Sequence, residues 1–400
     1  MRCKQEHLRH RKRPPADRGG KGKFDMTTIR LAIVRQKYRP DGGAERFISR
    51  ALEALDNSGL ELNIITRQWS GEPRPDWHVH ICNPGGSGRI ARERGFAAAA
   101  RQYWQQHQFS LVQSHERIAG CDVFRAGDGV HQAWLEQRAR IIPAHQRWLT
   151  HISRYHRYVL SAESEMFHSP TLKKIICNSA MVQNDIMRYY GVAEDKFALI
   201  YNAIDPQRFA PADGEQRRAA REALAIPEQA CALIFVGSGF ARKGLRQALE
   251  AVAATDRYLI VVGQDKHQRR YQALARSLGC LSRVRFAGVR QEVMPCYHAA
   301  DALILPTLYD PFPNVILEAM SCGLPVITSQ RCGGAEFIEQ GREGFVCDTL
   351  DTASLRTFAA EVPSREQDPT MGEAARQRVS HCTPEHLSRQ LTTLYRQLLS

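Results

Sequence analysis

From residue 29 the chain alternates short apolar runs with longer stretches in which apolar residues recur every three or four positions. The segment 29–35, which opens Ile29-Arg30-Leu31-Ala32-Ile33-Val34, and the segments 60–66, 78–82, 109–113 and 173–177 have the length and β-branched content of strands. Between them, 44–56, 89–106, 131–167 and 179–190 read as helices. The alternation continues in the second half. Strands are expected at 231–236, 258–262, 284–286, 302–305, 324–328 and 345–347, and helices at 243–254, 268–278, 292–299, 314–321, 352–361 and 371–399. Strand followed by helix many times over predicts parallel sheets covered on both faces, an α/β fold.

A polar, proline-containing passage interrupts the pattern at Asn202-Ala203-Ile204-Asp205-Pro206 and again at Ala210-Pro211-Ala212-Asp213-Gly214. With 400 residues there is room for two domains. The expected division is 26–205, a linker at 206–214, 215–380, and a last helix at 381–400 that crosses back. Two doubly wound, Rossmann-like domains of this kind would turn the carboxyl ends of both sheets toward a central cleft, where ligands usually bind.

Composition changes this picture little: 43% hydrophobic and 24% charged residues are those of a globular chain. Charge changes it more. A net charge of +13 points to an anionic partner, whether nucleic acid, a phosphorylated ligand or a membrane surface. Nine Lys or Arg and three acids in residues 1–25 concentrate nearly half of that charge in a leader without an apolar core, expected to be disordered. A second basic block, 137–158, holds five Arg, three His and no acid, with Trp148, Tyr155 and Tyr158 interleaved. Positions 148, 152, 155 and 159 share a helical face, so Arg147, Trp148, Arg154, Tyr155, Arg157 and Tyr158 are candidate membrane contacts. The same pattern also suits a surface helix whose aromatics pack on their own domain. No apolar run is long enough to span a bilayer. Eleven cysteines include no CxxC pair, and several read as reduced core thiols of a cytoplasmic protein, with no metal site.

Three stretches carry chemistry. Asp41-Gly42-Gly43-Ala44 follows the first strand and opens a helix, a place where backbone amides can approach an anion. Gly237-Ser238-Gly239-Phe240-Ala241-Arg242-Lys243-Gly244 follows another strand. Adjacent Arg242 and Lys243 at a helix start would be repelled by its dipole unless an anion sits there, and a diphosphate is such an anion. The order GxxxxGK[ST] is absent, so this is no Walker loop. The third stretch, Tyr309-Asp310-Pro311-Phe312-Pro313-Asn314 through Glu318 to Gly323-Leu324-Pro325-Val326, puts two carboxylates eight positions apart across a loop and a helix. Asp310 would suit sugar hydroxyls and Glu318 a ribose.

These motifs resemble the retaining glycosyltransferases of family 4, which have the GT-B fold. The paired acids before Ala319-x-x-x-Gly323-Leu324-Pro325-Val326, the Gly237–Gly244 element and the Gly42–Gly43 turn all match, over about residues 29–395. Within the family the likeness is to the branch that builds lipopolysaccharide core. Phe124-Arg125-Ala126-Gly127-Asp128 fits that branch, Asp128 matching an acid that contacts the donor sugar. So does the Arg- and Tyr-rich segment, which there touches membrane. The family usually has Glu where this chain has Asp310, a methylene shorter.

The resemblance implies transfer of a hexose from a UDP-sugar to lipopolysaccharide core, with capsule, exopolysaccharide or another glycolipid as alternative acceptors. It implies a peripheral enzyme on the inner face of the cytoplasmic membrane. Asp128, Arg242, Lys243 and Asp310 would be catalytic. Gly42, Gly43, Gly237, Arg242, Lys243, Phe312, Pro313, Asn314 and Glu318 would bind the donor. No D-x-D occurs, so no metal is expected, and no finger, helix-turn-helix or RNP signature supports nucleic acid.

Overall fold

The computed structural model describes residues 29–38, 60–71, 77–145, 147 and 152–400. These fall into two compact units. One comprises the described residues up to Arg125 together with Ser153–Ile176 and Ser388–Ser400; the other comprises Ala126–Ile152 and Cys177–Leu387. The units are therefore discontinuous in sequence. Residues 126–152 and 177–205, expected with the first half, group with the second unit, and residues 388–400 group with the first.

The first unit is built on parallel strands β1 (Ile29–Tyr38), β2 (Leu60–Trp69), β3 (Trp77–Ile81), β4 (Leu111–Ser114), β5 (Val123–Arg125) and β6 (Lys174–Cys177), in the order β3-β2-β1-β4-β5-β6. Leu31, Ala32, Ile33 and Val34 are all buried, as a strand covered on both faces requires. At three residues β5 is too short to leave a periodic signal, and it was not foreseen. The short strand β7 (Phe197–Leu199) escaped for the same reason.

The second unit carries β8 (Ala232–Val236), β9 (Tyr258–Val262), β10 (Val284–Gly288), β11 (Ala302–Leu305), β12 (Val326–Ser329) and β13 (Gly344–Cys347). They are parallel and ordered β10-β9-β8-β11-β12-β13. The order reverses between β8 and β11. At such a switch point the loops leaving neighbouring strands diverge and open a crevice. Here those loops are the ones that hold Gly237–Gly244 and Asp310. The helix Gly214–Ala223 starts at a capping box of Asp213 and Gln216. It buries Arg217 and Arg221 against Asp301 at the foot of β11, with Arg217 Nη2 2.7 Å from the carboxylate.

Two long helices expected from the pattern are broken. In place of a continuous 131–167 stand His131–Ala139 and Arg154–Phe167, with further helical residues at 144, 145, 147 and 152 between them; the later helix is capped by Ser153, whose hydroxyl accepts the His156 amide. Pro143 lies between them and cannot supply a helical amide. In place of 371–399 stand Thr370–Val379 and Pro384–Leu399, with proline in the first position of the later helix, where it is tolerated. The expected helix at 44–56 lies outside the described residues. The ten described cysteines are buried free thiols, and among the described residues no helix is long and apolar enough to cross a membrane.

Candidate active site

Strand β8 runs into Gly237, whose amide donates to the Val262 carbonyl at 2.9 Å. The next residues form a one-turn helix, Phe240–Lys243, with the Phe240 amide held by Asp265 Oδ2 at 2.9 Å. The Lys243 stem folds over Gly237 so closely that a Cβ there would lie 3.3 Å from Lys243 Cε. Gly244 ends the turn at φ +83°, and a Cβ on it would stand 2.0 Å from the Pro306 carbonyl oxygen. Only glycine fits, so the turn is pressed against the chain leaving β11. Arg242 and Lys243 thus close a one-turn helix, where they were expected to open a long one. The longer helix, Leu245–Ala253, begins after them. Dipole repulsion is not what calls for an anion here.

A carboxylate gathers the two cations instead. Asp310 Oδ2 accepts from Lys243 Nζ at 2.5 Å and from Arg242 Nη1 at 2.8 Å. Arg242 Nη1 also reaches the Tyr309 carbonyl oxygen at 3.3 Å. Burial by itself would push the Asp310 carboxyl up; the charges of Lys243 and Arg242, and their hydrogen bonds, outweigh it and hold Asp310 below the usual aspartate range. The ammonium is buried with its partner, whereas the Arg242 side chain is 41% exposed. Asp310 is expected to face sugar hydroxyls, and one of its two oxygens is already engaged by the cations. Its Oδ2 serves as counter-ion to the cation pair.

The loop after Asp310 is fixed from both sides. The Asp310 amide donates to the Arg331 carbonyl and its own carbonyl accepts from the Gly333 amide, each at 2.9 Å. Ser179 Oγ donates to the Pro311 carbonyl at 2.8 Å. Phe312 packs against Tyr201 and Phe337 in the core. Expected to meet the donor, its ring is committed to packing, which leaves only its backbone for a ligand. Pro313 leads into the helix Asn314–Ser321, whose first side chain accepts from Asn202 Nδ2 at 2.7 Å. Glu318 is buried on that helix, and Tyr297 Oη donates to its Oε2 at 2.9 Å.

Asp128 is exposed on a turn belonging to the same unit. Two residues on, the Val130 amide donates to Tyr309 Oη at 2.9 Å. The structure therefore brings Arg242, Lys243 and Asp310 into direct contact, and links Asp128 to them through Tyr309. Glu318 lies on the helix that follows. Gly42, Gly43 and Trp148 lie outside the described residues.

The proposed membrane contacts divide in two. Arg147, Arg154 and Arg157 are exposed. Tyr155 and Tyr158 are half-buried against the helix Arg89–His107: the Arg89 guanidinium lies 3.7 Å over the Tyr155 ring, and that of Arg94 lies 5.1 Å over Tyr158. The Tyr155 hydroxyl also donates to Glu93 at 3.3 Å. Burial first, then the Glu93 charge, pushes its pKa up to about 12. These tyrosines face their own unit, a correction to their expected place at a membrane surface.

Sequence reasoning passed over Tyr297, Tyr309, Asp185 and Arg331. Asp185 was within reach of a pattern argument. It falls three after Val182 and one before Ile186 on the buried stripe of the helix Ala180–Tyr190, where a carboxylate needs a partner. Arg331 Nη2 supplies one, at 2.8 and 3.0 Å from the two carboxylate oxygens. Nothing in the pattern marks Tyr297 or Tyr309.

Residues 216–378 match the family described as Glycosyl transferases group 1, and residues 41–208 match Glycosyltransferase Family 4. The chain is 27% identical over 323 residues to lipopolysaccharide glucosyltransferase WaaG of Escherichia coli K12, covering 79% of this chain and 84% of that protein. It is 26% identical to the lipopolysaccharide core biosynthesis glycosyltransferase LpsE of Rhizobium meliloti, covering 88% and 97%. The crystal structure of WaaG superposes with a TM-score of 0.78 at 25% identity, over 91% of this chain and 99% of that one. Anabaena HepE, solved with UDP and glucose, superposes with a TM-score of 0.67 at 17% identity, over 92% and 100%, a likeness of fold.

Proposed function

This chain belongs to the family 4 glycosyltransferases of the GT-B fold, and from that premise we propose that it transfers a hexose, with retained anomeric configuration, from a UDP-sugar to lipopolysaccharide core. The observation that carries the reading is the convergence of Arg242 and Lys243 on Asp310 at the switch point of the second sheet. Two cations held by one carboxylate retain a surplus positive charge for a diphosphate. One of them, Arg242, is open enough to grip it.

The donor diphosphate would seat on Arg242 and Lys243, with Glu318 accepting a hydrogen bond from the ribose. As the bond from the anomeric carbon to the diphosphate oxygen lengthens, positive charge grows on the sugar ring and negative charge on the leaving phosphate. Fixed cations aimed at that oxygen lower the barrier, because they are already in place when the charge appears. The leaving phosphate oxygen takes the acceptor hydroxyl's proton on the same face where the new carbon–oxygen bond forms. That geometry retains configuration without a protein nucleophile. Asp128 orients the sugar and offsets the charge on its ring. Protein cations do the work of a metal bridge, so the reaction is metal-independent.

Glucose as the transferred sugar is supported by the likeness to the lipopolysaccharide glucosyltransferase WaaG. The exposed arginines Arg147, Arg154 and Arg157 would hold the enzyme to the anionic inner face of the cytoplasmic membrane, where a glycolipid acceptor is presented. Replacing Lys243 by Ala tests the site. Sugar transfer from the donor should be abolished in a variant that still melts cooperatively, and transfer at the parental rate would remove the diphosphate assignment.

A further inference from the structure

Tyr309 lies where separate chain segments meet. Its hydroxyl accepts the Val130 amide at 2.9 Å and donates to Asp185 Oδ2 at 3.1 Å. Asp185 is buried and holds Arg331, whose guanidinium lies 5.4 Å over the Tyr309 ring. The backbone around Tyr309 belongs to the cation site. Its carbonyl accepts from Arg242, and Arg331 returns a carbonyl to the amide of Asp310. On its other side Gly129, at φ +67°, approaches so closely that a Cβ would lie 2.6 Å from Tyr309 Oη and 2.7 Å from Pro311 Cγ.

Asp128 immediately precedes Gly129. The helix that follows it, His131–Ala139, is tied down at two further points: Tyr189 Oη donates to Glu136, and Arg140 makes two bonds to Asp348 at 2.7 and 2.9 Å. The start of that segment, the end nearest Asp128, is held by the Tyr309 hydroxyl.

We infer that Tyr309 is a positioning residue: its hydroxyl, held by Asp185 and Arg331, fixes the turn of Asp128 against the loop of Asp310. This sets where the sugar-facing carboxylate stands relative to the diphosphate cations. The inference rests on the sugar-transfer reading of Asp128 given above. A tyrosine buried only for its ring would leave its hydroxyl a liability, since burying an unpaired hydroxyl is costly. Here the hydroxyl both accepts and donates, and burial keeps it protonated far above neutral pH. Phenylalanine would preserve the ring and the carbonyl that Arg242 uses. It would leave the Val130 amide without this acceptor, so the damage falls on the Asp128 side of the site.

The test is a double-mutant cycle on the full chain with Tyr309→Phe, Asp128→Asn and the pair, reading kcat and KM for transfer from UDP-glucose, UDP binding by calorimetry, and Tm. Tyr309→Phe should lower kcat by about tenfold or more, since small displacements near the reacting groups are costly, and leave UDP affinity within about twofold. In the Asp128→Asn background it should change kcat by less than about twofold, because two residues acting as one unit are not additive. Asp185→Asn, which keeps the shape of that side chain, should reproduce part of the Tyr309→Phe loss. Losses that multiply in the double variant, a parental kcat for Tyr309→Phe, or UDP affinity falling in step with kcat would each overturn the inference. If Asp128→Asn alone transfers at the parental rate, the role proposed for Asp128 fails first and the inference falls with it. An impaired Asp128→Asn with multiplying losses sinks the inference alone.

Discussion

Asp310 and Glu318 look alike along the chain, yet the fold gives them different company. Asp310 is enclosed with two cations that come from 67 and 68 residues away, whereas Glu318 is buried under a tyrosine hydroxyl. Their spacing could be read from the sequence because it is local. Their partners could not, because no periodicity connects residue 243 to residue 310. A third carboxylate matters for stability. Both oxygens of Glu336 accept the Ala180 amide, at 3.0 and 3.2 Å, at the start of the helix Ala180–Tyr190. Burial raises its pKa from 4.5 to about 7, against the lowering pull of that amide. The folded chain then keeps a proton that the unfolded chain releases between those values. This group's contribution is full below about pH 4.5 and is lost as pH rises through about 7. Glu336→Gln should therefore give a flatter profile of Tm against pH and a higher Tm than the parent at about pH 8. Melting curves across that range check it, and parallel profiles for the two proteins would contradict it.

At the scale of elements, the basic segment 137–158 shows what composition can say and what it cannot. Its charge and aromatic content are plain in the sequence, and the exposed Arg147, Arg154 and Arg157 match them. Which way the aromatics point depends on a neighbour, and the helix Arg89–His107 takes Tyr155 and Tyr158 for its own packing. Membrane affinity should accordingly follow the arginines. Changing all three to Gln should weaken sedimentation with anionic vesicles by roughly two orders of magnitude at low salt, at about 1 kcal/mol per cation. Tyr155→Ala should lower Tm and leave the vesicle-bound fraction of folded protein unchanged. Vesicle binding that falls as far with Tyr155→Ala as with the arginine set would contradict this division. The two helices that proved broken teach a related lesson. Apolar spacing runs on through Pro143 and Pro384, but each proline lacks the amide a continuous helix needs.

For the molecule as a whole, the class of fold was readable because long apolar runs separated by helical stretches admit few arrangements other than parallel sheets. The strand order was not, since it depends on pairings between distant segments. That order is 3-2-1-4-5-6 in the second unit, and it makes a switch point of the two loops that carry the cations and Asp310. The first sheet begins in the same order and adds a seventh strand, 3-2-1-4-5-6-7. The grouping of Ala126–Ile152 with the second unit was equally hidden, because it rests on contacts such as Val130 with Tyr309 and Arg140 with Asp348. The proposed chemistry requires the crevice of the second unit to hold the diphosphate of a nucleotide sugar. The measurement that bears on it most directly is the thermal shift of the parent and of Lys243→Ala across a panel of nucleotide sugars, because a ligand that binds the folded state alone raises Tm with its concentration. At least one UDP-sugar should raise the Tm of the parent in a concentration-dependent way and leave the variant unmoved. A panel that shifts neither protein, or shifts both equally, would show that the crevice does not hold a nucleotide sugar through Lys243.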